Sequence, residues 1–249
     1  MSLVVACGCI LNNYIDRDID KLMERTKRRI SAQGLISGKF SVLYASVLGI
    51  LGSLILYFQT NLLTVITAFI GLFAYVILYT LWFKRSSVYG TTIGGIAGAI
   101  PPVAGYCAAT NRFDSGAVIL FAILFFWQMP HFYAIAIYRL KDYTAAKIPV
   151  LPIKKGIYYT KISMLVHIFA FTIVAAMPFL FGYTGFFYFL DAFTLGLIWF
   201  YFGLKGFSSN DKKASAQGGA LLKDVTWARK MFIFSVVNIT LLSVMMSIL

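Results

Sequence analysis

Asn12, Asp16 and Asp20 recur at intervals of four in the stretch Asn12–Arg29, NNYIDRDIDKLMERTKRR. On a helix that spacing lines three oxygen-bearing side chains along one face, about a turn apart. A row of carboxylate and carboxamide oxygens suits a hard divalent cation. Mg²⁺ takes oxygen ligands, keeps several waters, and is commonly held by one or two carboxylates together with the phosphates of a substrate. Arg25, Lys27, Arg28 and Arg29 follow directly, and guanidinium groups suit whatever phosphate charge the metal leaves unbalanced. The stretch packs three Asp, one Glu and six of the 22 Lys and Arg residues into eighteen positions of a chain that is 60% apolar. Topology accounts for the basic residues, but it asks for no four-residue Asn/Asp repeat, because carboxylates contribute little to membrane orientation.

A second polar group follows a long apolar run, in WQMPHFYAIAIYRLKDYTAAKIPVLP. If helix continues through it, His131, Tyr138 and Asp142 share a face, with Arg139 and Lys141 flanking them. His131 would lie about 10 Å deeper along that helix than Tyr138. His167 lacks such company and reads as structural.

These residues must be positioned by membrane helices. Mean hydropathy is +0.81, with 12% charged residues, which describes a polytopic protein solvated by lipid. A bilayer core of about 30 Å takes about 20 apolar residues per span, and seven stretches qualify: Ser41–Phe58, Leu62–Trp82, Val88–Tyr106, Gly116–Ile137, Ile162–Phe181, Phe186–Leu204 and Met231–Leu249. An eighth, from Ser2 to about Leu11, is only half a span, and the simplest expectation is a chain that starts inside a helix. It has no basic residues ahead of its apolar run and does not read as a signal peptide.

Charge predicts the orientation. The segments Asp16–Phe40, Lys84–Arg85, Arg139–Lys161 and Lys205–Lys230 hold all Lys and Arg except Arg112. The positive-inside rule puts them on the cytoplasmic side, or the matrix side in a mitochondrion. Both polar groups then belong to one membrane face, where they could close on a shared ligand. A net charge of +13 accordingly needs no nucleic acid as partner. Cys7, Cys9 and Cys107 have neither disulfide nor zinc spacing. The run GTTIGGIAGAIPPVAG reads as close helix packing, or as a wall cut back for a flat substrate. Ser208–Gly219 reads as a flexible polar linker.

The Asn12/Asp16/Asp20 row with its basic continuation resembles the first aspartate-rich motif of UbiA-type intramembrane prenyltransferases. Within that superfamily KRSSVYGTTIGG with PPVAGYCA, WQMPHFYAIAIYRLKDYTAAKIPVLP and the last span from TWARKMF to SVMMS are most similar to the branch that farnesylates haem. Where other members carry a second aspartate pair, this chain has Tyr138, Lys141 and Asp142.

The resemblance implies an all-α transmembrane bundle forming one domain over residues 1–249, nine spans in the family, here lacking the first helix and the start of the second. It implies farnesyl transfer from farnesyl diphosphate to a vinyl group of haem b, for haem-copper terminal oxidases, in a bacterial inner membrane. Asn12, Asp16 and Asp20 would hold Mg²⁺, and Tyr138, Lys141 and Asp142 would join them in catalysis. Arg25, Arg28, Arg29, Lys84, Arg85 and Arg139 would contact diphosphate, and His131 would ligate haem iron or bind a propionate. Tyr14, Trp127, Phe132 and Tyr138 could shield an allylic cation. Haem A synthase or an oxidase assembly would be its partners. The competing expectations are a prenyltransferase for an aromatic acid or quinone precursor, which the missing second Asp pair disfavours, and a transporter, whose broken helices would lie near the bilayer midplane.

Overall fold

The computed structural model describes residues 1–207 and 219–248. The Ser208–Gly219 linker lies outside the described residues except for Gly219, which opens the last helix. The described chain is all-helical, without a strand. Among the described residues seven helices are long and apolar enough to cross a membrane. They match the seven expected spans and extend several of them by a turn or more. Their order is α1 (Ser2–Ile15), α2 (Arg17–Asp20), α3 (Ile30–Gln33), α4 (Gly38–Gln59), α5 (Leu62–Ser86), α6 (Gly90–Thr110), α7 (Ser115–Tyr138), α8 (Leu140–Ala145), α9 (Leu151–Lys154), α10 (Gly156–Leu180), α11 (Phe186–Leu204) and α12 (Gly219–Ile248). The exposed apolar side chains, from Phe58 to Leu180 and Phe187, form the surface that lipid would solvate.

Two compact units divide the chain. The first comprises residues 1–121 and 141–150, the second residues 122–140 and 151–249. In the first, α1 packs on α4. Ser41, Ala45, Gly52 and Leu56 bury one face of α4, and Val4, Cys7, Gly8 and Asn12 bury one face of α1. The small residues permit a close crossing, as in other helix pairs that lack a hydrophobic driving force. A Cβ at Gly52 would stand 2.9 Å from the Leu3 Cβ and 3.1 Å from the Val4 backbone nitrogen. Asn61 caps α5, accepting from the Thr64 N–H at 2.9 Å while its amide donates to the Cys107 carbonyl of α6 at 2.9 Å.

Within α5 the residues Ala74–Phe83 wind as a π-helix. The Thr80 hydroxyl donates to the Tyr75 carbonyl, five residues back, at 2.7 Å. Pro101 and Pro102 lie inside α6 without ending it. Glycines on facing helices take their neighbours' side chains, Gly94 beside the Tyr79 ring and Gly71 beside Ile100, which is the packing reading of the GTTIGGIAGAIPPVAG run. Gly98 and Gly105 are exposed.

The second unit is held by α10 on α11 and α11 on α12. Lys161 is buried at the start of α10, its Nζ donating to the Gly206 carbonyl at 2.6 Å and to Asp224 at 2.5 Å. The pair closes the end of this unit, and the Trp227 Nε1–H donates to the Phe202 carbonyl beside it at 2.9 Å.

Backbone cannot yield where α1 crosses Gly52. Gly52→Leu should therefore destabilise the first unit by about 1–3 kcal/mol, read as a lower thermal midpoint in detergent, whereas Gly105→Leu, with nothing within 4 Å of its added Cβ, should leave the midpoint unchanged.

Candidate functional site

In the first unit the aspartate row forms as its spacing requires. α1 ends at Ile15, but the Asp16 N–H still bonds the Asn12 carbonyl at 2.9 Å and the Asp20 N–H the Asp16 carbonyl at 2.8 Å. Asn12, Asp16 and Asp20 are all buried, Asp16 completely. A buried carboxylate without a partner is strongly disfavoured, and each of these has one.

Asp16 meets the Lys84 ammonium at one oxygen and Arg85 at the other, at 3.3 Å. Arg85 also grips Asp18 with both nitrogens at 2.7 Å and donates to the Ile15 carbonyl. That fork holds the Asp18 carboxyl well below the usual carboxylate range, at about 2. Arg29 pairs with Asp20 at 2.8 Å, and the Thr26 hydroxyl donates to the Asp20 carbonyl at 3.0 Å.

Asn12 turns its amide N–H groups to Asp16 at 2.7 Å and to the Thr80 oxygen at 3.0 Å. Thr80 spends its own hydrogen on Tyr75 and so accepts from Asn12, which fixes the amide. The amide hydrogen, and not the oxygen, is what Asn12 presents to Asp16. Asp16 and Asp20 are a donor set that suits a hard divalent cation chemically. Among the described residues no three His, Cys, Asp or Glu side chains gather as a metal site. Any cation here would take over oxygens that Lys84, Arg85 and Arg29 now satisfy.

The remaining expected diphosphate contacts divide. Arg25 and Arg28 are exposed, as is Lys141, while Arg139 lies 5.4 Å over the Tyr138 ring. Of the expected face through His131, Tyr138 and Asp142, the first two stand seven residues apart on α7 and both meet Phe232, whereas Asp142 belongs to the first unit. α7 ends at Tyr138, a turn at Arg139 intervenes, and α8 begins at Leu140. Asp142 is drawn instead to the first unit's basic loop, where it accepts from the Glu24 N–H at 3.2 Å. That N–H has no helical carbonyl to serve, so a carboxylate there satisfies it.

His131 is in the second unit, enclosed by aromatics. Trp127 stacks on it at 4.7 Å, Phe232 lies tilted beside it at 4.9 Å and Phe132 stands edge-on at 5.4 Å. Tyr138 meets Phe232 at 5.7 Å. His131 Nδ1 lies 2.7 Å from the Ser235 oxygen, and the Ser235 hydroxyl is 2.6 Å from the Phe232 carbonyl. With the hydroxyl hydrogen on that carbonyl, Nδ1 donates and the Nε2 lone pair is left for a ligand. His167 bonds its own helix at Ser163, as expected of a structural histidine. Thr80, Asp18 and Ser235 carry no signal in the sequence. Their partners stand 68, 67 and 104 residues away.

The description "UbiA prenyltransferase family" fits residues 1–236. The chain is 52% identical over 248 residues to proteins named protoheme IX farnesyltransferase from Yersinia pseudotuberculosis and Photorhabdus laumondii, and 51% identical to that of Cronobacter sakazakii. Each alignment takes in 100% of this chain and 80% of the relative. Among solved structures, one concerned with digeranylgeranylglyceryl phosphate synthase in membranes superposes with a TM-score of 0.72 at 18% identity, covering 99% of this chain and 83% of the other. A UbiA homolog from Aeropyrum pernix K1 gives 0.61 at 16% identity, covering 96% and 85%. On its all-helical fold, its paired aspartate row and this likeness along its whole length, the chain belongs to the UbiA prenyltransferase family.

Proposed function

We propose that this chain, as a single membrane-embedded domain, transfers the farnesyl group of farnesyl diphosphate to a vinyl group of protohaem IX, giving the hydroxyethylfarnesyl side chain of haem O. The likeness of 52% to protoheme IX farnesyltransferases over the entire chain carries this reading. The paired aspartate row and the enclosed histidine agree with it. Breaking the allylic C–O bond leaves a diphosphate and a delocalised cation, so the barrier falls when charge at the leaving group is met by groups already in place. Asp16 and Asp20 would hold Mg²⁺, which supplies positive charge to the leaving oxygens.

The protein's own cations supply the rest. Lys84, Arg85 and Arg29 sit on the aspartates as counter-ions, and long flexible side chains of this kind can exchange a carboxylate for a phosphate oxygen. Arg25, Arg28 and Lys141, exposed, are further diphosphate contacts, as is Arg139. Asn12 orients Asp16 through its amide. Asp142 orders the basic loop at Glu24, and Tyr138 with Trp127 and Phe132 walls the haem side. His131, with Nε2 free, serves haem as an iron ligand or propionate donor. The basic segments face the cytoplasm, and the product passes to haem A synthase or a terminal oxidase assembly.

Asp16→Asn or Asp20→Asn should lower farnesyl transfer by at least roughly 10²–10³-fold while the protein still inserts, and EDTA should stop the wild type. Normal turnover in either variant, or without metal, rejects the assignment. His131→Ala should weaken haem binding about tenfold or more, which is about 1.4 kcal/mol, and leave binding of farnesyl diphosphate near wild type. Loss of both would mark His131 as structural.

The Asp18–Arg85 pair gives a pH test. The folded carboxyl is depressed to about 2, below an unfolded value of about 3.9. The stability it contributes is therefore present above about pH 4 and is lost as pH falls through about 2. Arg85→Gln should return the Asp18 titration to about 4, followed by NMR of the labelled carboxyl.

A further inference from the structure

One face of α11 carries an uncommon set of polar groups. Tyr188, Asp191, Leu195 and Trp199 recur at steps of three, four and four, so they align along the helix, and Thr184 stands just ahead of it, before the N-cap Gly185. Tyr188, Leu195 and Trp199 are buried, and that face points into the second unit. The Thr184 hydroxyl, the Tyr188 hydroxyl, Asp191 Oδ2 and Trp199 Nε1 have no hydrogen-bond partner among the described residues. Across from them on α12, Asn238 donates to the Leu195 carbonyl at 3.4 Å, and its own Oδ1 is likewise unmet. Tyr188, Trp199 and Asn238 are wholly buried. Buried polar groups in folded proteins nearly always have partners, so five unmet ones, four on or just before α11 and one on α12, call for an occupant.

Their chemistry says which occupant. Trp199 Nε1 only donates and Asn238 Oδ1 only accepts, while the two hydroxyls do both. An anion would meet Asp191 and the Asn238 oxygen, and a metal ion would meet an indole N–H. Water serves donors and acceptors in alternation and is small enough to sit between helices, as buried waters do where polar atoms are left over.

The line also leads somewhere. α11 and α12 run antiparallel, since Phe202 meets Trp227 and Phe234 while Leu195 meets Asn238. Ser235, three residues before Asn238 on α12 and fully buried, therefore lies level with Trp199, and Ser235 holds His131 Nδ1.

We propose that α11 and α12 hold a file of bound waters from Thr184 to Trp199 and Ser235, and that this file delivers the water that ends the reaction beside His131. The delivery rests on the haem-farnesylation reading above. In that reaction the farnesyl C–O bond breaks and diphosphate leaves. The vinyl π electrons form the new C–C bond to the farnesyl carbon. The cation left on the vinyl carbon next to the porphyrin then takes an oxygen lone pair of water, which loses one proton to the neighbouring waters. No electrons are exchanged with any other reagent. A cation that water does not reach loses a proton from the adjacent CH₂ instead and gives an alkene.

Two measurements on the full chain in detergent test this. X-ray radiolysis in ¹⁸O-labelled water, read by mass spectrometry, should oxidise Tyr188 and Trp199 despite their burial and spare Phe171, which is equally buried against Trp199. Equal protection of all three overturns the water file whatever the enzyme's substrate is. Turnover with haem b and farnesyl diphosphate should then show, in Tyr188→Phe and in Asn238→Leu, a several-fold rise in dehydrated over hydroxylated farnesyl haem. An unchanged ratio in both variants overturns delivery. Absence of any farnesylated haem from the wild type would strike the proposed function and leave the radiolysis result standing.

Discussion

Asp16 is a carboxylate with no exposed surface in a protein built for lipid, and the first unit is arranged to keep it charged. Burying an isolated carboxylate is prohibitively unfavourable, and removing one partner of a buried pair costs about 3–5 kcal/mol. Lys84, Arg85 and the Asn12 amide converge on its two oxygens. To meet it, α5 must present two cations at its end and Thr80 one level deeper. The π-helical stretch Ala74–Phe83 delivers them. Such irregular turns occur frequently at functional sites, and here the altered winding directly precedes Lys84 and Arg85.

The same unit explains why small residues line α4. Asn12 and Asp16 stand at the end of α1, whose position is set by its crossing over Ala45, Gly49 and Gly52. The crossing fixes the aspartates relative to the basic loop, where Asp142 ties the Glu24 N–H. Charge balance in this cluster is close. Asp16, Asp18 and Asp20 are matched by Lys84, Arg85 and Arg29, and Arg25 and Arg28 remain in excess at the surface. An arriving diphosphate would meet positive charge before it disturbed any pair.

The second unit uses a different principle. His131 is held by rings and by one hydroxyl, with no carboxylate among its contacts in the described residues. Lys161 and Asp224 close the end of this unit by a buried pair.

Much of this was readable from composition and spacing. Lipid demands about 20 apolar residues per crossing, so hydropathy located the seven spans, and the four-residue recurrence of Asn12, Asp16 and Asp20 survived because it depends only on local helical geometry. The expected face through His131, Tyr138 and Asp142 reaches only from His131 to Tyr138, both against Phe232: a periodicity argument assumes one unbroken helix, and beyond the break at Arg139 the Asp142 carboxylate meets a loop N–H at Glu24. Partners far apart in sequence, Asp16 with Lys84, Asn12 with Thr80 and His131 with Ser235, were set by how helices cross. No local pattern encodes a crossing, because it follows from the shapes of two surfaces. Hydropathy and helical period thus determined which segments span and which oxygens align, while tertiary packing alone decided which charges those oxygens meet.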